Sequence, residues 1–197
     1  MMEDNKIDVI NITIHGRGGT GVVTCAEIIA EAAYLSGNFT DVHAYPSFGA
    51  ERRGAPVQAY AKLSRSDIIW DRAHIENPNI LIIFDETLLN QEIASSLRRT
   101  GFLIINTDKE PEFFVKQYNL RDVKIVVADI SKLAIEKNLT IDGNPVINTP
   151  ILGLLSKVLP ELNLKNLKTV LLKHMGGKIG KLNYELIEQG YSLAKII

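Results

Sequence analysis

The sequence predicts an α/β protein: three layers, α/β/α, around a mixed, mostly parallel sheet, with a helical C-terminal portion. Three observations carry this. Short, continuous apolar runs recur at Asn79–Phe84 (NILIIF), Gly101–Asn106 (GFLIIN) and Val123–Ala128 (VKIVVA), as in strands covered on both faces. The connections between them are long enough for crossover helices. Near the N-terminus a β-branched run passes straight into a glycine cluster and then into a helix-forming stretch.

Taken in order, Ile7–His15 (IDVINITIH) reads as a first, buried strand. Gly16, Arg17, Gly18, Gly19, Thr20 and Gly21 follow, then VVTCAEIIAEAAYL, a helix suited to packing on a sheet, ended at Gly37-Asn38. Asp41–Tyr45 is a short second strand, and Val57–Leu63 (VQAYAKL) alternates like a strand with one solvated face. The turn between these two is too short for a crossover helix, so they are expected to be antiparallel and the sheet mixed. Between the apolar runs, ETLLNQEIASSLRR has a helical pattern. From Ser131 onward the chain reads as helices: SKLAIEKN, TPILGLLSKVL, LKNLKTVLLKHM and LNYELIEQGYSLAKII. Residues 1–197 are expected to form one domain.

Composition narrows the function classes. At 197 residues, 46% hydrophobic, the chain can bury a full core, and 22 basic against 23 acidic side chains favour neither nucleic acid nor an anionic membrane. No apolar stretch approaches the ~20 residues of a membrane span, and the acidic N-terminus does not resemble a signal peptide, so a cytoplasmic location is expected. One cysteine, Cys25, excludes an internal disulfide and cannot hold an iron–sulfur cluster, which takes about four thiolates. The four histidines show no HxH or HExxH spacing, so no metal site is expected.

Gly16, Gly18 and Gly21 satisfy GxGxxG between a predicted strand and a predicted helix, the context in which a Rossmann-like glycine turn presents a helix N-terminus to phosphate. The alternative is that the glycines only let strand and helix pack closely. A dinucleotide enzyme also needs an acid about 20 residues on, at the end of the second strand. Asp41 has nearly that spacing but stands at the start of its strand instead of the end, which counts against NAD. The strand leads instead into YPSFGAERRGAPV, where Ser47 and Phe48 precede Gly49, and Glu51, Arg52 and Arg53 sit between Gly49 and Gly54. Arginine's planar fork suits phosphate or carboxylate, while a plain solvated pair is the competing reading. Asp85 is either ligand-facing at a strand end or a helix cap, Asn148-Thr149-Pro150 reads as a cap, and Cys25 as a packed thiol. Without a GxSxG elbow, Walker lysine, thiamine diphosphate motif or cluster cysteines, the chain is not expected to catalyse alone.

GRGGTGVVTCAEIIAEAA followed by YPSFGAERRGAPVQAYAKLS resembles the gamma subunit of pyruvate:ferredoxin oxidoreductase and related 2-oxoacid:ferredoxin oxidoreductases. The resemblance continues through DRAHIENPNILIIFDETLL and NTPILGLLSKV. It implies an enzyme of alpha, beta, gamma and delta subunits converting a 2-oxoacid and coenzyme A to acyl-CoA and carbon dioxide while reducing ferredoxin. Thiamine diphosphate and iron–sulfur clusters then belong to partner subunits, and this chain lies on the coenzyme A side. SFGAERRGAPV resembles pyruvate and branched-chain members more than the SYGPExRGG pattern of 2-oxoglutarate enzymes, which makes pyruvate the first expectation. On this footing Gly16 to Gly21 approach a phosphate and Ser47 belongs to the cofactor-binding set, while Arg52 and Arg53 either meet coenzyme A or reach carboxylates of the thiamine-bearing subunit. A free-standing NAD(P) protein and a nucleotide-sensing or assembly module are the alternatives from other classes.

Overall fold

The computed structural model describes residues 8–47 and 52–197; Phe48, Gly49, Ala50 and Glu51 of the arginine turn lie outside them. A seven-stranded sheet runs in the order β2-β3-β1-β4-β5-β6-β9. Its strands are β1 (Val9–Arg17), β2 (Asp41–Pro46), β3 (Pro56–Ser64), β4 (Ile80–Ile83), β5 (Phe102–Asn106), β6 (Lys124–Ala128) and β9 (Lys195–Ile196). β1, β4, β5 and β6 are parallel neighbours. β3 lies antiparallel between β1 and β2, as the short turn requires.

The apolar runs are central for the expected reason: every residue of β4 is buried, so both faces need apolar side chains. Ile80, Ile82, Ile104 and Val126 enter one core with α1 (Val22–Leu35), α4 (Ile130–Glu136), α5 (Leu152–Val158), α6 (Leu164–Met175) and α7 (Gly177–Leu193). The alternate residues Leu81, Ile83, Leu103, Ile105, Ile125 and Val127 pack on the other side with Ala94 of α2 (Gln91–Ser96) and Phe114 of α3 (Pro111–Tyr118). That alternation gives the three layers.

Among the described residues, no helix covers the second face of β1, β2 and β3. That face carries Tyr45 and Tyr60 and is covered by the extended segment 65–79, which contributes Ile75. Asp41 accepts the Ile69 N–H at 2.7 Å, Lys62 meets Asp71 at 2.5 Å, and the Tyr45 hydroxyl donates to the Ala73 carbonyl at 2.8 Å.

Several local expectations are corrected. ETLLNQEIASSLRR is not one helix: Asp85 caps a 3-10 turn at Glu86–Leu88 and Asn90 caps α2 separately, because each side chain accepts a backbone N–H that a continuous helix would use. Thr149 does not cap α5, which starts after Ile151 without a side-chain cap; its hydroxyl bonds instead to Asn183 of α7. The last residues leave the helix, and Val126 and Val127 of β6 pair with Ile196 and Lys195 of β9, which supplies partners to an otherwise open sheet edge. Helix α3, started by Pro111, and a hairpin of β7 (Thr140–Ile141) and β8 (Asn144–Pro145) are additional elements.

Candidate functional site

Moving along the sheet, the chain turns from the β2-β3 side of β1 to the β4 side, so the carboxyl ends of β1 and β4 flank the point where strand order reverses. Open α/β sheets form their ligand crevice there. Gly16 and Arg17 end β1, and Gly18 to Gly21 lead into α1.

Two of the glycines have definite steric reasons. A Cβ on Gly18 would stand 2.2 Å from the Arg52 carbonyl oxygen, because the two loops are laced together. The Gly18 N–H donates to Ala55 O at 2.8 Å and the Gly54 N–H to Gly18 O at 3.0 Å. Gly21 has φ +80 at the N-cap of α1, and a Cβ there would lie 2.4 Å from Asn148 Nδ2. Close packing thus accounts for much of the motif. It also leaves the first turn of α1, among the described residues, with no side-chain cap and no acidic residue of its own to offset its positive end. The Thr20 hydroxyl is turned inward, donating to Arg17 O at 2.7 Å.

Arg17 is the hub of the crevice. Its Nε donates to Asp85 Oδ2 at 2.5 Å, its Nη2 to Thr87 Oγ1 at 2.8 Å and its Nη1 to Gly54 O at 3.3 Å. Burial opposes ionisation of Asp85, but hydrogen bonds from Thr87 and Arg17 outweigh it and hold the carboxyl below its ordinary range. Beside it burial likewise opposes ionisation of Glu86, and Lys109 and Thr107 overcome that. These carboxylates are therefore neutralised ion-pair partners, unsuited to accept a proton near neutrality.

Two clefts share Arg17 and Thr20 as a wall. One, of about 460 Å³, is lined by Gly18, Gly19, Gly21, Arg53 and Asn148. The other, of about 340 Å³, is lined by Phe84, Asp85, Asn106 and Ser131. Asn106 is buried with its amide committed to Phe84 O and Ser131 Oγ, which fixes the floor of the second cleft. In the first, the Asn148 amide oxygen is buried without a hydrogen-bond partner.

The structure brings Gly16 to Gly21 and Arg53 together. Arg53 makes an isolated bridge with Gly18, and its guanidinium meets Asp142 at 2.7 Å. Arg52 is exposed and contributes its carbonyl to the Gly18 contact. Ser47 stands apart at the end of the β2-β3 ladder, donating its N–H to Gln58 O at 2.9 Å, and does not line the glycine cleft.

The register also weighs against NAD. Asp41 and Val9 both pair with Ser64, so Asp41 sits at the end of the sheet opposite the glycine turn. Cys25 is buried, and burial pushes its thiol up, as for a packed side chain. Among the described residues no group of three or more His, Cys, Asp or Glu side chains could hold a metal ion, and no helix is long and apolar enough to cross a membrane.

Sequence reasoning missed the Arg17–Asp85 pair, which no local pattern signals, and the hairpin that walls the first cleft. That hairpin did have a signal: Asp142-Gly143, at φ 50 and 77, is the Asp-Gly dipeptide of a two-residue turn with both central residues left-handed.

Comparison with known proteins adds an independent line. The pyruvate/ketoisovalerate oxidoreductases common subunit gamma of Pyrococcus furiosus is 32% identical over 189 residues, spanning 95% of this chain and 98% of that one. Pyruvate synthase subunit PorC of Methanosarcina barkeri is 37% identical over 158 residues, 80% of this chain and 81% of its own. The crystal structure of pyruvate oxidoreductase subunit PORC from Thermotoga maritima superposes with a TM-score of 0.81 at 31% identity, covering 96% of this chain and 98% of that one. Residues 11–193 match the family described as pyruvate ferredoxin/flavodoxin oxidoreductase, and the chain belongs to that family as a gamma-type subunit.

Proposed function

We propose that this chain, folded as one domain, receives coenzyme A within a complex that oxidatively decarboxylates a 2-oxoacid, pyruvate in the first instance, and passes the electrons to ferredoxin. The observation that carries the coenzyme A role is the uncapped N-terminus of α1, which opens through a glycine turn onto a cleft that also holds Arg53. A diphosphate suits that pairing: backbone N–H groups and the helix dipole take one phosphate, and a guanidinium fork takes another or its neighbour. The chain's own part is binding and orientation, since its crevice carboxylates are tied to cations and its thiol is buried.

Thiamine diphosphate and iron–sulfur clusters do not fit the residues described here, which offer one buried cysteine and no cluster of ligands, and they are assigned to the alpha, beta and delta partners. Replacing Arg53 by alanine in the assembled complex tests the reading. The expected result is a rise of about tenfold or more in KM for coenzyme A, the scale of a lost charge-assisted hydrogen bond. An unchanged KM with assembly intact removes it. Arg52, exposed beside the cleft, fits the second expectation, contact with carboxylates of the thiamine-bearing subunit. For Arg52→Ala the expected loss is then in assembly instead of in KM.

A further inference from the structure

We propose that Asp142 is a built-in competitor for Arg53, so that the β7-β8 hairpin closes over the glycine cleft until an anionic ligand takes Asp142's place on the guanidinium. This rests on the reading of that cleft as a phosphate-receiving site and specifies how the site is regulated.

The two partners are held very differently. The Arg53 backbone is fixed to the glycine turn by the bridge to Gly18, the Gly54 N–H bond to Gly18 O and the Arg17 bond to Gly54 O. Its side chain is therefore delivered to the cleft from a rigid post. Asp142 sits at the tip of a hairpin whose strands are only two residues long, with Thr140, Ile141 and Asn144 exposed. At the base the hairpin is joined by the Val146 N–H bond to Leu139 O. Among the described residues, the Arg53–Asp142 pair is the one side-chain hydrogen bond from residues 140–145 to the rest of the molecule.

Ile141 and Asn144 line the same cleft as Gly18, Gly19 and Arg53, so the position of the hairpin sets how open the cleft is. The Arg53 and Asp142 side chains are 77% and 66% exposed, and an ion pair in that setting biases an equilibrium by about fivefold or less. Such a pair can keep the arm closed in the absence of ligand yet give way to a phosphate, which binds a guanidinium through several oxygens and carries more charge than a carboxylate. A neutral ligand gains nothing from the exchange. The cost of the broken pair therefore falls only on a ligand that takes Asp142's place on Arg53, and Asp142 tempers the binding of anions to the cleft.

The test is Asp142→Asn in the assembled complex, with Arg53→Ala alongside. Asparagine is tolerated at a left-handed position, so the turn is kept while the charge is removed. Two readouts are needed: hydrogen exchange of the amides at 140–146, and the dissociation constants of coenzyme A and of pantetheine, which lacks the phosphates. The proposal expects faster exchange in the hairpin, coenzyme A bound about threefold to fivefold more tightly, and pantetheine unchanged. Hairpin exchange equal to that of the parent overturns the latch. Equal tightening of pantetheine and coenzyme A overturns the anion exchange and leaves only a loosened loop. Should coenzyme A ignore Asp142→Asn but weaken with Arg53→Ala, the competitor role falls and the phosphate site stands. Should it ignore both variants, the phosphate site falls and the competitor role with it.

Discussion

Arg17 and Asp85, 68 positions apart in the chain, meet at 2.5 Å across the carboxyl ends of β1 and β4. The contact joins the glycine turn to the 3-10 turn, and through the Nη1 bond to Gly54 it also anchors the arginine loop. One guanidinium therefore spans three segments.

That geometry predicts the behaviour of two variants. Asp85→Ala leaves a partly exposed pair unmade, worth about 1 kcal/mol or less, and removes the cap of the 3-10 turn, worth about 1 kcal/mol more, so a fall of several degrees in melting temperature is expected. The larger effect should fall on coenzyme A affinity, since Arg17, which tethers the base of the Arg53 loop through Gly54, loses the partner that positions it. Arg17→Lys should fail to restore it, because an ammonium cannot reproduce the divergent Nε, Nη1 and Nη2 bonds. Near-parental affinity in Arg17→Lys would show that charge alone suffices and that the three-way tether is unimportant.

Gly18→Ala and Gly21→Ala should differ in kind. At Gly18 the new methyl would face a backbone carbonyl at 2.2 Å, so the glycine turn and the 52–55 turn must separate. A destabilisation of about 1–3 kcal/mol is expected, together with loss of coenzyme A binding. At Gly21 alanine meets both a left-handed φ of 80 and the Asn148 side chain. The double substitution Gly21→Ala/Asn148→Ala relieves only the clash, so denaturant unfolding should show partial recovery, with a strain of about 1 kcal/mol left over. Full recovery would remove the backbone argument.

Much of this fold was legible because burial imposes pattern. VVTCAEIIAEAAYL coincides with α1, and NILIIF, GFLIIN and VKIVVA contain β4, β5 and β6, since a strand covered on both faces has no freedom to be polar. The antiparallel β2-β3 pair followed from loop length. Legibility failed where a residue's role depends on distant partners. Nothing within reach of Arg17 in sequence announces Asp85, and Asp142 meets Arg53 across 89 positions. Two-residue strands such as β7, β8 and β9 carry no periodicity at all, so β9 became visible only with the fold and the β7-β8 hairpin had no signal beyond its Asp142-Gly143 turn. The glycine cluster was legible as a turn between strand and helix, but not for its main physical cause, the approach of the Arg52 carbonyl.

The C-terminal helices give a prediction about packing alone. Gly153 of α5 and Gly190 of α7 lie where these helices cross: a Cβ at Gly153 would stand 2.2 Å from Ile187 O, and one at Gly190 2.8 Å from Pro150 O. Alanine would raise intrinsic helix propensity by about 1 kcal/mol, yet the clash is with backbone that cannot step aside. Gly153→Ala should therefore destabilise by a net amount of about 1–3 kcal/mol in denaturant unfolding. A neutral or stabilising result would mean that the crossing is looser than described.

The last prediction concerns pH. His15 lies buried on β1, and burial first, with the nearby charge of His74 second, lowers its pKa from the ordinary 6.5 to about 4. Below pH 6.5 the unfolded chain takes up a proton at this position that the folded chain refuses until about pH 4. Stability thus rises with pH across that window: the contribution is complete above pH 6.5 and is lost as the solution is acidified toward pH 4. At 1.36 kcal/mol per pKa unit the total is on the order of 3 kcal/mol. Urea unfolding of the parent at pH 7.5, 6.0, 5.0 and 4.5, as about four points on the curve, should show this acid limb. In His15→Gln, which has no titrating group there, the limb should be flatter by up to about one proton, whatever the absolute stability of the variant. Parallel curves for the two proteins would place the acid sensitivity elsewhere, in carboxylates such as Glu31, which is held below its ordinary range by hydrogen bonds from Lys173 and His174 and would lose that stabilisation only as it protonates at lower pH.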